Sequence, residues 1–136
     1  MSMLNLSELG IMIVDDQQAA RVMLKKMLKE LQIHQVFEAP NGREALKLLD
    51  SAPDMINLIL CDWNMANVSG IELLRQVRSV RSEVPFLMVT GRADRESILE
   101  AKDAGVSGYI AKPFSQIQLE AKIRVVLSNR PANLTF

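Results

Sequence analysis

Five short runs of β-branched and aliphatic residues, each followed by a longer stretch of helical period, constrain the fold of this chain more than any other feature. The runs lie at residues 11–14, 36–39, 58–61, 86–89 and 108–111. They are apolar at successive positions, as strands buried on both faces are, so helices are expected on both sides of a parallel sheet. The first, third and fourth runs are the expected central strands. Between the first two, Ala20, Met23, Leu24, Met27, Leu28 and Leu31 recur at three- and four-residue steps, with Lys25, Lys26, Lys29 and Glu30 on the other side. That is the pattern of an amphipathic helix. Ser69-Gly70-Ile71-Glu72 and Ser115-Gln116-Ile117-Gln118 fit capping boxes, Asn41 with Glu44 is a looser version, and Gly105 is placed to end a helix over 94–104. The expected fold class is α/β, a doubly wound five-stranded parallel sheet with five helices.

Composition narrows what such a fold can do. The 136 residues carry 16 Lys+Arg against 16 Asp+Glu, and a chain of this size buries enough surface to need no metal or disulfide for a core. A single domain over 1–136 is expected, with its core at about 9–128, frayed ends, and too few residues after the fifth helix for an output module. A formal net charge of zero without a Lys/Arg block counts against direct binding of nucleic acid. The longest aliphatic runs, of about four residues, are far too short for a membrane span, and no basic-then-apolar leader opens the chain. Cys61 is the only cysteine, so no internal disulfide can form. A cytoplasmic monomer is expected.

In open α/β sheets, functional groups gather beyond the carboxyl ends of the strands. Those positions hold Asp15-Asp16, Asp62, Thr90-Gly91 and Lys112-Pro113. Carboxylates sharing one rim repel, by about 4 kcal/mol for unit charges about 4 Å apart at an effective dielectric of about 20. Lys112 supplies part of the compensation and a cation the rest. Oxygen donors with no His or Cys among them suit a hard ion that keeps waters and takes a phosphate oxygen, for which Mg²⁺ is the best match. A carboxylate can also act as nucleophile and form an aspartyl-phosphate. Mg²⁺, Thr90 and Lys112 would then hold the phosphoryl oxygens.

Val14-Asp15-Asp16 with Arg21, Asp62-Trp63-Asn64-Met65, Met88-Val89-Thr90 and Ser107-Gly108-Tyr109-Ile110-Ala111-Lys112-Pro113-Phe114 closely resemble the receiver domain of two-component response regulators, over about residues 9–128. Asp-Trp-Asn-Met and Ser-Gly-Tyr are most similar to the stand-alone chemotaxis receivers that act on the flagellar motor switch. The resemblance, not the periodicity, implies the flavodoxin-like strand order 2-1-3-4-5. It implies Asp62 as phosphoacceptor, with a histidine kinase as donor. It implies Asp16 and Asp62 as direct Mg²⁺ carboxylates, the Asn64 carbonyl as a further ligand, and Asp15 acting through water. Thr90 and Tyr109 match the switch pair, and Lys112 matches the phosphate-contacting lysine ahead of a cis peptide to Pro113. The implied output surface is the face of the fourth helix, fifth strand and fifth helix. The implied function is a phosphorylation-activated switch rather than an enzyme, in chemotaxis or in another phosphorelay. Two departures stand out. Ala66 occupies a position where most relatives have proline, and Arg92 stands two residues after Thr90, where side-chain identity together with Asn64 tunes self-dephosphorylation.

Other residues carry plainer expectations. Cys61 points away from Asp62 into apolar surroundings as an inert thiol, His34 lies on a surface loop, Met23 and Met27 pack in the core, and Trp63 is partly exposed beside the carboxylates. A Mg²⁺-dependent aspartyl-phosphate phosphatase is the enzymatic alternative. The haloacid-dehalogenase type wants a second acid two residues after the nucleophile, where Asp15 is followed by Gln17. A flavin carrier would need a hydroxyl-rich phosphate loop in place of Asp15-Asp16-Gln17-Gln18, and no Gly-rich nucleotide-binding spacing is present.

Overall fold

Alternate residues of each strand feed two different cores. The structure, a computed structural model, describes residues 5–80 and 83–128. Its strands are β1 (Gly10–Val14), β2 (Gln35–Ala39), β3 (Leu58–Asp62), β4 (Phe86–Thr90) and β5 (Gly108–Ala111). Its helices are α1 (Gln18–Glu30), α2 (Gly42–Ser51), α3 (Gly70–Val80), α4 (Arg95–Asp103) and α5 (Gln116–Ser128). Met12, Val14, Ile59, Cys61, Phe86 and Met88 pack with α2, α3 and α4. Ile11, Ile13, Leu58, Leu60, Leu87 and Val89 pack with α1 and α5. The strands pair in parallel in the order β2-β1-β3-β4-β5, so β1, β3 and β4 are central, as expected.

The edge strand departs from the all-apolar expectation. In β2 only Ala39 is fully buried, and exposed Glu38 accepts from Arg21 Nε and Lys25 Nζ, both at 3.3 Å. An edge strand has one side open to solvent, and charge there discourages pairing with another chain. Met23 also departs: it is 66% exposed, whereas Leu24 and Leu28 are the buried residues of α1. The sheet takes only the narrow i, i+4 stripe. At the amino end, the expected fraying does not extend to residues 5–8, where Leu6–Glu8 forms a 3₁₀ turn and Leu6 joins the α1/α5 core. Residues 1–4 and 129–136 lie outside the described residues. His34 is exposed and Cys61 buried, and burial pushes the Cys61 thiol well up, which leaves it un-ionised.

Local chemistry terminates the helices. Ser115 and Gln118 cap each other's backbone N–H groups at 2.8 and 3.1 Å. Asn41 caps Glu44 N–H at 2.9 Å. The Ser69 hydroxyl accepts from Glu72 N–H at 3.3 Å, but it meets the Glu72 carboxylate directly instead of leaving that carboxylate for its own amide. After α4, Gly105 at φ 90° donates to Lys102 and Val106 donates to Ala101, closing a Schellman motif. The sequence pattern missed the same motif after α1, where Gln32 sits at φ 68° and Ile33 N–H donates to the Leu28 carbonyl at 2.9 Å. A side chain in that region costs about 1–2 kcal/mol, while glycine costs the unfolded chain about 0.5–1 kcal/mol in extra freedom. Gln32→Gly is therefore expected to stabilise the protein by up to about 1 kcal/mol, read as a rise in urea midpoint at unchanged slope.

Arg78 was also invisible in the sequence. Its guanidinium donates to the Gly105 carbonyl at 2.8 Å, the Val84 carbonyl at 2.6 Å and Ser107 Oγ at 3.2 Å, tying α3 to the segments that flank β4 and β5. Ser107 Oγ in turn accepts from Phe86 N–H at 3.0 Å.

Candidate functional site

Register brings the strand-end residues together. Val14 is level with Cys61, so Asp15 and Asp62 follow side by side on the two central strands. Asp62 is level with Val89, and Thr90 with Ala111, so Thr90 and Lys112 each extend one step further. Lys112 Nζ lies 3.6 Å from Asp62 Oδ2 and 3.9 Å from Asp15 Oδ2, and the Lys112-Pro113 peptide is cis, as expected. One ammonium thus bridges two of the three carboxylates.

Asp15 is almost fully buried. Burial raises its carboxyl above the ordinary range, the charges of Asp62 and Asp16 push the same way, and the Gln17 N–H bond at 2.9 Å and Lys112 oppose them. Asp16 is exposed, and its Oδ2 accepts from Ala66 N–H at 2.9 Å, a bond that proline at that position would lack. Arg21 Nη1 donates to the Asp15 carbonyl at 2.8 Å and steadies the same turn. Gly70 opens α3 directly under the Asp62–Trp63 backbone: its N–H donates to the Trp63 carbonyl at 2.8 Å, and a Cβ there would stand 2.3 Å from the Asp62 carbonyl oxygen.

Charge is unevenly compensated at this rim. Among the described residues no three His, Cys, Asp or Glu side chains enclose a metal site by themselves. The hard oxygens at the rim are the carboxylates of Asp15 and Asp16, just after β1, and of Asp62, at the end of β3. That donor set fits a divalent ion bound through few protein ligands with waters completing its shell.

The other flank of the rim is built on Arg92. Its N–H donates to Thr90 Oγ1 at 3.1 Å, its Nε donates to Asn64 Oδ1 at 3.1 Å, and its guanidinium lies 5.2 Å over the Trp63 ring. This corrects the expectation for Trp63, which is only 5% exposed because Arg92 covers one side and the α3 side of the core takes the other. Tyr109 points inward, 4% exposed, and its hydroxyl donates to the Arg92 carbonyl. Burial, reinforced by Asp94, raises the Tyr109 phenol to about 12. Asp94 itself caps α4 through Ser97 N–H and Oγ, both at 2.9 Å, which holds its own carboxyl low. Because the folded value lies above the ordinary 10, the stabilisation tied to the protonated phenol is complete below pH 10 and is lost as pH rises through about 12. Tyr109 is the sole tyrosine, so an absorbance titration reads it alone. A midpoint near 12 is expected, and one at 10 would place the ring in solvent.

Every strand-end residue singled out in the sequence, Asp15, Asp16, Asp62, Thr90 and Lys112, thus lies at this one rim or directly beside it, with Asn64, Arg92 and Tyr109 on its flank. The Arg92–Trp63 and Asp16–Ala66 contacts carry no sequence signal, because each joins loops far apart in the chain.

Residues 11–124 match the family described as the response regulator receiver domain. The chain is 41% identical over 118 residues to the chemotaxis protein CheY of Pseudomonas aeruginosa, covering 85% of this chain and 94% of that one. It is 39% identical over 115 residues to CheY-3 of Vibrio cholerae, covering 83% and 87%. Among solved structures, Vibrio cholerae CheY4 superposes with a TM-score of 0.80 at 31% identity, covering 88% of this chain and 98% of that one. A carboxylate rim built by parallel-strand register, the strand order and the match over most of the sequence agree: this chain belongs to the receiver domain family of response regulators.

Proposed function

We propose that this protein is a phosphorylation-activated switch in which Asp62 takes a phosphoryl group from a histidine kinase. The observation that supports this most is Lys112 Nζ at 3.6 Å from Asp62 Oδ2, with Asp15 alongside. An Asp62 oxygen attacks phosphorus, the donor's P–N bond breaks, and the departing imidazole takes up a proton. Lys112 and the Thr90 hydroxyl are the side chains available to hydrogen-bond the phosphoryl oxygens at Asp62. Asp15, Asp16, Asp62 and the Asn64 carbonyl would hold Mg²⁺, which when bound neutralises charge as the phosphoryl group arrives. The rim fits such an ion because Lys112 offsets only part of its negative charge.

Transmission runs from Thr90 to Tyr109. Engaging the Thr90 hydroxyl at the phosphoryl group favours the inward ring, and the adjoining groove, lined by Ile98, Tyr109, Phe114, Lys122 and Val125, is the surface for a downstream protein. Relatives described as chemotaxis proteins support chemotaxis over another phosphorelay, and the flagellar motor switch is the proposed target. Among the described residues no helix is long and apolar enough to cross a membrane; the proposed protein is a cytoplasmic monomer that acts by docking.

Trp63, the only tryptophan, provides the test. Titration with Mg²⁺ is expected to change its emission, and Asp16→Ala is expected to weaken binding at least tenfold, as loss of one of few charged ligands should. Asp16→Ala binding Mg²⁺ as tightly as wild type would refute the ligand set.

A further inference from the structure

Arg92 touches both of the loops that flank the site beside Asp62 and Thr90. Through its backbone it meets Thr90 Oγ1 and the Tyr109 hydroxyl, and through its side chain it meets Asn64 Oδ1 and the Trp63 ring. Asn64 and Trp63 belong to the loop that follows Asp62, whereas Arg92 lies on the loop between β4 and α4. The guanidinium therefore clasps two loops that the strand hydrogen bonds leave separate at this end of the sheet. We infer that this clasp positions the Arg92 carbonyl as the acceptor for Tyr109, so that the ring is held inward before any phosphoryl group is present.

The physical basis is local and directional. A planar guanidinium can lie over an indole while its Nε–H points along its own plane toward an amide oxygen, a combination that a lysine ammonium does not reproduce. With both contacts made, the backbone at Arg92 has little freedom to swing outward, and its carbonyl stays where the phenol reaches it. Without them the loop keeps its contacts to Thr90 and Tyr109 but loses its tie to the loop after Asp62, and outward positions of the ring gain population. On the functional reading above, on which this inference builds, the resting protein is thereby biased toward the partner-binding arrangement, and phosphorylation has less of the population shift left to supply.

The test uses fluorotyrosine incorporated at the single tyrosine and ¹⁹F NMR, with the solvent isotope shift reporting ring exposure in the metal-free, unphosphorylated protein. Wild type should show the inward resonance. Arg92→Ala should lower the inward-to-outward ratio about tenfold, the combined effect expected of a cation–π contact and a hydrogen bond from a charged donor. Asn64→Ala should lower it by a smaller factor, and Arg92→Lys should restore it only in part. Arg95→Ala, on the adjoining turn of α4, should leave it unchanged. An Arg92→Ala spectrum identical to wild type would overturn the inference. Beryllofluoride with Mg²⁺ should return Arg92→Ala to the inward position. If it moves no variant, the phosphoryl-switch reading falls, while the inference still stands or falls on the unliganded comparison.

Discussion

Asp62→Asn is expected to abolish labelling by a small phosphodonor and, with it, every donor-dependent gain in partner affinity. The amide removes the nucleophilic oxygen and one of the two charges that Lys112 bridges, yet it is nearly isosteric and leaves β3 and its register intact. Stability should change little, so the loss is one of chemistry and not of folding. The mass gain of one phosphoryl group, present in wild type and absent in the variant, is the readout. Lys112→Ala and Thr90→Ala should differ in kind: both keep the Asp62 oxygen and should still be labelled, while transmitting poorly. Full labelling of Asp62→Asn would move the acceptor elsewhere.

Gly70→Ala is the second large effect. A methyl there would lie 2.3 Å from the Asp62 carbonyl oxygen and 2.8 Å from Trp63 Cα, both backbone atoms that cannot swing aside. Either α3 backs away or β3 is displaced at the residue that matters most. A loss of about 3 kcal/mol is expected, at the upper end of what overpacking costs, together with slower labelling per folded molecule. Gly42→Ala is the contrast: its methyl would meet Val68 Cγ1 at 3.1 Å, a side-chain atom that can give way. At this first helical position the gain for replacing glycine is smaller than the roughly 0.5–1 kcal/mol of a helix interior, and the crowding costs little, so a small net change is expected. Urea denaturation of the two variants separates close backbone approach from glycine content as such.

Much of this architecture was legible because strand-end chemistry and strand periodicity are local. The apolar runs at β1, β3 and β4, the Ser115–Gln118 cap and the left-handed Gly105 follow from residues within a few positions of one another. Asp15, Asp62, Thr90 and Lys112 could be grouped because a parallel sheet aligns its carboxyl ends. What escaped was set by tertiary context. Met23 fits the helical period but faces solvent, since the sheet covers a stripe narrower than the apolar one. Trp63 is buried by a guanidinium 29 residues further on, and no local pattern announces that Arg92 will lie over it. Arg78 looks like an ordinary surface cation on α3, yet it satisfies two carbonyls and a hydroxyl on segments that meet α3 only in the folded chain. Gln32 shows the converse, a helix end closed by a residue type that does not advertise a left-handed turn.

The central claim is that a phosphoryl group is carried on Asp62 in an ion-dependent reaction. Its most direct test is to incubate the wild-type protein with a small phosphodonor, with and without Mg²⁺, then record intact mass and map the modified peptide after trapping the acyl phosphate. One phosphoryl group per chain is expected, only when Mg²⁺ is present, at Asp62. A label on His34 or any other residue, or equal labelling after chelation of the ion, would contradict it.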